Sequence, residues 1–260
     1  MTDPVLLHIA GPVAQITFDR PDALNAIDVA LAQAFDRATS AAVATPGVRV
    51  IVLSGNGRAF MAGGDLAAFR QSDDRAAEAE AIIAPMNSAL SRLHGSGILT
   101  LALLQGPVAG AGLSLALAAD FAIAAETAML SFAYLKIGAP ADCGISWTLP
   151  RAVGLRRALW LAMEGSALPA GQALDWGLVT RVVPADALAA EGARLAARLA
   201  ALAPGAAAAL KTLMLQGFGQ DFTATLETEK QAFRTAAATD DFAEALEAFF
   251  EKRPARFTGN

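Results

Sequence analysis

A long run of residues without one charged side chain constrains the fold of this chain more than any other feature. The run extends from Leu93 to Ala119. Its length alone is that of a membrane span, but Gln105-Gly106-Pro107 and two further glycines interrupt it. Because glycine and proline at such positions mark turns, we predict a buried strand over Ile98–Leu104 and a buried helix over Ala111–Ala119.

The composition indicates a globular protein and excludes several functional classes. Hydrophobic residues make up 55% of the 260 residues and charged residues 17%, which excludes a disordered chain. With 20 Lys and Arg against 25 Asp and Glu, the chain lacks the basic character of nucleic-acid-binding proteins. The single cysteine, Cys143, and two histidines exclude a disulfide framework and a His- or Cys-rich metal site. We expect a cytoplasmic protein, since no secretory signal is visible. We also expect no nucleic-acid partner, because the chain is acidic, and no membrane partner, because turn residues interrupt the apolar run.

Strands and helices alternate in the first part of the chain, and helices follow at its end. A hairpin is predicted over Val5–Phe18 with its turn at Gly11-Pro12, and a β-branched strand over Val48–Ser54. Further predicted elements are helices from Asp28 to about Ala44, over Ala76–Leu93, over Pro150–Met163 and from Pro169, and strands over Asp120–Ala125 and Leu178–Val183. This order predicts one α/β domain with a helical C-terminal part.

The C-terminal part contains an amphipathic helix pattern. Asp241 followed by Glu244 is typical of a helix N-terminal box. The apolar residues after it share one face at helical spacing: Phe242, Ala245, Leu246, Phe249 and Phe250. That face packs either inside the chain or against another subunit or the active site, and the spacing alone does not separate these interpretations.

Two glycine-rich turns and one acidic residue are the candidates for chemistry. The turns run from Gly57 to Leu66 and from Gln105 to Gly112, each after a predicted strand. Small residues let backbone N–H groups approach a ligand, and two such turns could form an oxyanion hole. Glycine spacing alone favours two tight turns without a ligand. Asp142 is the one carboxylate between Thr127 and Arg151; it is either an acid/base group in apolar surroundings or a helix cap or turn residue.

The sequence resembles the crotonase superfamily, also called the enoyl-CoA hydratase/isomerase family. The segments that carry the resemblance are, in order, Asp19–Ala26, Arg58–Leu66, Gly106–Asp120, Lys136–Gly138, Gly171–Val179 and Ala248–Phe257. The resemblance implies an α/β crotonase (ClpP-like) fold, a superhelix of ββα units with two nearly perpendicular sheets. It implies a single domain over 1–260, with the ββα core in 1–195 and a helical trimerisation region in 196–260. It also implies an acyl-CoA thioester substrate, no cofactor apart from the coenzyme A of that substrate, and a homotrimer or a dimer of trimers.

The same resemblance implies the residues of the site. The N–H groups of Gly64 and Ala111 would bind the thioester carbonyl, with Ala111 at a position where the family often has glycine. Ser114 and Tyr134 stand at the positions of the two glutamates that handle water in family hydratases, and neither is a carboxylate. The implied substrate-binding residues are Ala23, Leu24, Ala62, Gly63, Asp65, Leu66, Gly110 and Tyr134, and the candidate partners of the CoA phosphates are Arg58, Lys136 and Lys252.

The stretch from Gly138 to Pro150 resembles that of isomerases within the family, which carry Asp or Glu at the position of Asp142. These include Δ3,Δ2-enoyl-CoA isomerases and the ring-epoxide isomerase of phenylacetyl-CoA breakdown. Ala141 and Ile145 depart from their pattern. The resemblance implies an isomerase of fatty-acid metabolism or phenylacetate catabolism, in which Asp142 moves a proton while the oxyanion hole holds an enolate. The alternatives are an enoyl-CoA hydratase and an inert CoA-binding protein of the same fold.

Overall fold

Two β-sheets carry the fold in the computed structural model, which describes residues 3–260. The larger sheet is formed by β1 (Val5–Ala10), β2 (Val13–Phe18), β3 (Val50–Gly55), β4 (Leu99–Leu104), β6 (Phe121–Ala125) and β9 (Arg181–Val183), in the order β1-β2-β3-β4-β6-β9. Its strands pair in parallel except for the hairpin of β1 and β2. The smaller sheet contains β5 (Pro107–Ala109), β7 (Met129–Ser131) and β8 (Leu168–Pro169).

The first strands confirm the predicted hairpin. Ala10 pairs with Val13, so Gly11 and Pro12 alone form the loop. Gly11 has a φ of 57°, which a residue with a side chain adopts only with strain. The turn therefore needs glycine at this position.

The central strands are buried on both faces, as expected for parallel strands covered by helices. Ile51 and Leu53 of β3 belong to the same apolar cluster as residues of α1 (Val29–Ala44) and α3 (Arg75–Gly95). The alternate residues Val50 and Val52 belong to a second cluster, which includes residues of α8 (Leu188–Ala200). The expected boundary at 195/196 thus falls inside α8, a helix that packs on the sheet.

The shorter helices are α2 (Leu66–Gln71), α4 (Ala111–Ala118), α5 (Ile145–Val153), α6 (Leu155–Glu164) and α7 (Ala170–Asp175). Single turns of 3-10 helix occur at Pro21–Ala23, Tyr134–Ile137 and Ala185–Ala187. The prediction of one helix over Pro150–Met163 is wrong, because Gly154 (φ 78°, ψ 154°) separates α5 from α6. The last strand occupies only the end of its predicted range, and Pro169 precedes α7 as its N-cap.

The chain ends in the helices α9 (Pro204–Gly217), α10 (Phe222–Ala237) and α11 (Asp240–Glu251). The prediction of a cap at Asp241 is wrong: the Thr239 hydroxyl accepts from Phe242 N–H (3.2 Å) and begins α11. The buried Asp241 side chain instead accepts from the N–H groups of Thr258 and Gly259. The α11 apolar face packs inside the chain only in part: Phe242 and Ala245 are half-buried, whereas Phe249 and Phe250 are each 76% exposed.

Polar side chains tie these C-terminal helices to the core. Lys211 of α9 lies 2.8 Å from the Asp120 carboxylate and donates to Ile98 O (2.9 Å). Arg49 donates to the carbonyl oxygens of Ala200 and Phe257. Within residues 3–260 no single helix is long and apolar enough to cross a membrane; one bent pair, Ala185–Ala200 with Pro204–Gly217, passes that test by composition at an angle of 102°.

Candidate active site

The two glycine-rich turns lie against each other. Met61 N–H donates to Pro107 O (3.3 Å), and Ala109 N–H donates back to Met61 O (3.0 Å). A Cβ on Gly112 would lie 2.3 Å from Met61 O, and one on Gly63 would lie 3.1 Å from Ala109 O. Glycine at these positions therefore permits the close approach of the two backbones.

The side chain of Asn25 forms hydrogen bonds to the backbone of the first turn. This residue is fully buried and has a left-handed backbone with a φ of 56°. Its amide nitrogen Nδ2 donates to the carbonyl oxygens of Ala59 (2.9 Å) and Phe60 (3.2 Å). Leu24 O accepts from Ala62 N–H at 3.1 Å. The sequence-based list of site residues omitted Asn25, although it belongs to the Asp19–Ala26 segment that carried the family resemblance.

The two predicted oxyanion donors lie at a backbone bridge and at the start of a helix. Gly64 forms a parallel bridge with Ile27, in which Ile27 N–H donates to Gly63 O and Asp65 N–H to Ile27 O. Ala111 is the first residue of α4, where a backbone N–H has no helical acceptor. Within residues 3–260 neither the Gly64 nor the Ala111 N–H donates to a protein acceptor.

Asp65 begins α2 beside the first donor. Its carboxylate accepts from Ala67 N–H (3.0 Å) and lies 3.0 Å from Arg20, which also pairs with Asp28. Burial alone would raise the pKa of Asp65, but the Arg20 guanidinium and the α2 amides together lower it below its usual value. The Asp65 carboxylate thus links the first turn to α2 and to Arg20. The next residue, Leu66, is half exposed.

A chain of hydrogen bonds leads from the second turn to Asp142. Ser114 Oγ lies 2.7 Å from Tyr134 Oη, and that tyrosine hydroxyl donates to Asp142 Oδ1. Ser114 and Tyr134 are buried, whereas Asp142 is half-buried. Ser114 Oγ also lies 3.3 Å from Gly110 O. The structure therefore joins the candidate acid/base to the candidate oxyanion turn.

The backbone around Asp142 explains the direction of its side chain. Asp142 O accepts from Ile145 N–H (3.3 Å) across a turn in which Cys143 and Gly144 have φ of 51° and 77°. Gly144, not Asp142, is the N-cap of α5, so the helix-cap alternative is wrong, whereas the alternative of a turn residue is correct for the Asp142 backbone. The Asp142 carboxylate accepts from the Tyr134 hydroxyl. Burial and the Asp142 charge raise the pKa of the Cys143 thiol, which keeps it neutral.

The candidate phosphate partners lie at the surface. Arg58 belongs to the first turn, Lys136 to the 3-10 turn Tyr134–Ile137, and Lys252 follows α11. Ala23 is half-buried and ends the 3-10 turn Pro21–Ala23. Residues 3–260 contain no group of three or more His, Cys, Asp or Glu side chains placed to hold a metal ion.

Known proteins match this chain along nearly its whole length. The family model described as enoyl-CoA hydratase/isomerase matches residues 8–260. The "probable enoyl-CoA hydratase" of Rhodobacter capsulatus is 36% identical, over 97% of this chain and 96% of that protein. The 1,2-epoxyphenylacetyl-CoA isomerase of Escherichia coli is 31% identical over 100% of both chains. The crystal structure of an enoyl-CoA hydratase from Bacillus anthracis has a TM-score of 0.93 at 28% identity, covering 99% of this chain and 100% of that one.

Proposed function

The chain belongs to the enoyl-CoA hydratase/isomerase family, and from that premise we propose that it is an acyl-CoA isomerase with Asp142 as its acid/base. The observation that carries this proposal is the hydrogen-bonded line from Asp142 through the Tyr134 and Ser114 hydroxyl groups to α4, where the Ser114 N–H donates to Gly110 O. This line brings one carboxylate to the turn that presents the Ala111 N–H. The positions implied for the hydratase glutamates hold hydroxyl groups instead.

The proposed reaction needs only one carboxylate. The thioester carbonyl oxygen accepts from the N–H groups of Gly64 and Ala111. Asp142 takes a proton from one carbon of the acyl chain, and the electron pair of the broken C–H bond passes into a dienolate. The two N–H groups stabilise the negative charge that develops on the thioester oxygen. Asp142 then returns the proton two carbons away, which shifts the double bond without adding water.

The hydroxyl groups beside Asp142 support isomerisation over hydration. Burial and the nearby Asp142 charge raise the pKa of Tyr134 above its ordinary value, so this side chain stays protonated near neutral pH. Neither Tyr134 nor Ser114 then serves as a carboxylate-like base for a water molecule. Hydration by Asp142 remains the second candidate, because relatives of this chain include proteins named hydratases.

The acyl group is either a linear 3-enoyl chain or a ring epoxide. The 31% identity with 1,2-epoxyphenylacetyl-CoA isomerase supports testing both kinds of substrate. The proposal accordingly covers fatty-acid metabolism and phenylacetate catabolism in the cytoplasm. An inert protein that binds CoA without moving a proton is the third candidate.

An assay of the pure protein separates these candidates. A 3-enoyl-CoA is added, and the absorbance of the conjugated 2-enoyl product is followed. A rise supports the isomerase, while loss of absorbance from an added 2-enoyl-CoA indicates hydration. CoA binding without either change, also with a ring-epoxide substrate, indicates the inert binder. The exposed Asp186 provides the control variant Asp186→Asn, which keeps its activity.

The proposal includes assembly into a homotrimer or a dimer of trimers. Apolar side chains that a single chain leaves exposed support it. They lie in α9, α10 and α11 and in the residue after α9, and they are Met214, Phe218, Phe222, Phe233, Phe249 and Phe250. Single exposed apolar residues are normal on a protein surface, whereas many large ones on the same helices are typical of a protein–protein contact. We expect a solution mass of three or six chains and a lower mass for Phe250→Ser. A monomer at micromolar concentration would contradict this part of the proposal.

A further inference from the structure

Two hydroxyl groups connect the candidate base to the candidate oxyanion peptide. Tyr134 Oη donates to Asp142 Oδ1, and Ser114 Oγ lies 2.7 Å from Tyr134 Oη. Ser114 Oγ also lies 3.3 Å from Gly110 O. The Ser114 N–H donates to Gly110 O (3.1 Å), and Gly110 O and Ala111 N–H belong to one peptide group. Ser114 therefore links the two hydroxyl groups to the peptide that supplies the second oxyanion donor.

The direction of these hydrogen bonds follows from the number of protons. A tyrosine hydroxyl has one proton, and an ionised carboxylate only accepts. Tyr134 therefore donates its hydrogen bond to Asp142, and its oxygen accepts from the Ser114 hydroxyl. The single Ser114 hydroxyl proton then points to Tyr134 and not to Gly110 O. Because the surroundings raise the pKa of Tyr134, its hydroxyl remains a donor over the working pH range. All three polar groups are satisfied in this arrangement.

The surroundings hold both hydroxyl groups in place. The Tyr134 ring packs edge-on against Phe132, with 5.1 Å between the ring centroids. Ser114 lies in α4, and Gly110 O accepts from Leu113 N–H (2.9 Å) and Ser114 N–H (3.1 Å). Neither hydroxyl can reorient without breaking buried hydrogen bonds, which is costly.

Resting on the proposed function, we infer that Tyr134 and Ser114 are positioning residues for Asp142. Tyr134 occupies Oδ1 and leaves Oδ2 as the oxygen that removes and returns the substrate proton. Ser114 fixes the Tyr134 hydroxyl relative to the Gly110–Ala111 peptide, and thereby fixes the base relative to the oxyanion hole. Small errors in such a distance reduce rates strongly.

Steady-state kinetics test this role. Tyr134→Phe removes the donor, and we expect kcat to fall about tenfold to hundredfold with little change in KM. The acidic limb of the pH–rate profile moves to higher pH, because the carboxylate loses a donor that stabilises its charge. The titratable groups facing Asp142 are Tyr134 and Cys143, and no salt bridge reaches Asp142 within residues 3–260.

A second variant removes the other hydroxyl group. Ser114→Ala leaves the Tyr134–Asp142 bond intact, so we expect a smaller fall in kcat and a smaller shift of the acidic limb. Thr228→Ala is the matched control, because it also removes one helix hydroxyl group, which donates to Ala224 O (2.9 Å) in the exposed helix α10 and not to a residue of the site. This control keeps the wild-type kcat and pH profile.

A spectroscopic readout is available because Tyr134 is the one tyrosine of the chain. Incorporated 3-fluorotyrosine gives a single fluorine resonance, which reports on the hydrogen bond to Asp142. We expect this resonance to titrate with the same midpoint as the acidic limb of kcat. In Asp142→Asn the titration disappears.

The outcomes distinguish this inference from the proposed function. If Asp142→Asn keeps full activity, the proposed function is wrong. If Asp142→Asn is inactive while folded Tyr134→Phe keeps the wild-type kcat and pH profile, the positioning role is wrong and the isomerase remains. A fluorine resonance that does not titrate in the active wild-type enzyme also overturns the positioning role, whether or not the variants fold.

Discussion

Helices α4 and α9 are both rich in apolar residues and both have glycine as their second residue, yet their surroundings are opposite. Residues Ala111 to Ala116 of α4 are all buried, whereas α9 has no buried residue. A Cβ on Gly112 would collide with Met61 O, while one on Gly205 would meet nothing within 4 Å. Apolar composition therefore does not determine burial. The helix that begins with Ala111 has no space for a side chain at its second residue, Gly112.

The largest effect is expected from placing alanine at these two glycines. Gly112→Ala should lower the free energy of unfolding by about 3 kcal/mol, because Met61 O must move. Gly205→Ala should raise it by about 0.5 kcal/mol, since alanine reduces the entropy of the unfolded chain. Chemical denaturation measures both. Equal effects at the two positions would contradict the stated difference between α4 and α9.

A smaller effect is expected where α9 joins the core. The side chain of Lys211 is only 7% exposed and its ammonium group binds Asp120, so Lys211→Met should cost about 2 kcal/mol of unfolding free energy. Lys230 pairs with Glu227 on the exposed surface of α10, and Lys230→Met should leave stability within experimental error. Thermal unfolding compares the two variants. A neutral Lys211→Met would show that this ion pair does not hold α9 on the core.

The smallest effect concerns the tail after α11. Hydrogen bonds from Arg253 and the Arg256 N–H lower the pKa of Glu244 from 4.5 to about 2. A carboxylate with a lowered folded pKa stabilises the fold above its unfolded pKa and loses this contribution as pH falls through the folded value. We expect the wild type to exceed Glu244→Gln in stability from pH 7 down to about 4.5, with the difference vanishing towards pH 2. A difference that grew on acidification would contradict the assignment; Glu247→Gln serves as the control.

The strand, turn and helix near the site could be predicted because glycine and proline residues mark where each begins or ends. The glycine and proline residues that interrupt the uncharged run predicted β4, the second turn and α4. The family resemblance supplied Gly64, Ala111 and Asp142 as site residues, and their roles stay a prediction. The break at Gly154 was missed, because one glycine inside a helical pattern is usually tolerated. The cap at Thr239 was missed because Asp241 fits the same local pattern, and its burial depends on the tail beyond α11.

The hydrogen bonds around Asp142 were beyond sequence reasoning. Ser114 and Tyr134 are 20 positions apart, and their contact depends on the backbone before the 3-10 turn. Ala133 there has a φ of 58°, an unusual conformation for alanine that no residue type signals. The resemblance identified both positions only as departures from the hydratase pattern, and the structure supplied their connection.

The most direct test of the account compares the wild type with Asp142→Asn on a 3-enoyl-CoA. The amide preserves the shape of the side chain but cannot take up the proton, so conjugated product should form at least about a hundredfold more slowly. Binding of the CoA thioester should remain close to that of the wild type. An Asp142→Asn variant that forms conjugated product at the wild-type rate would contradict the central claim that Asp142 moves the proton.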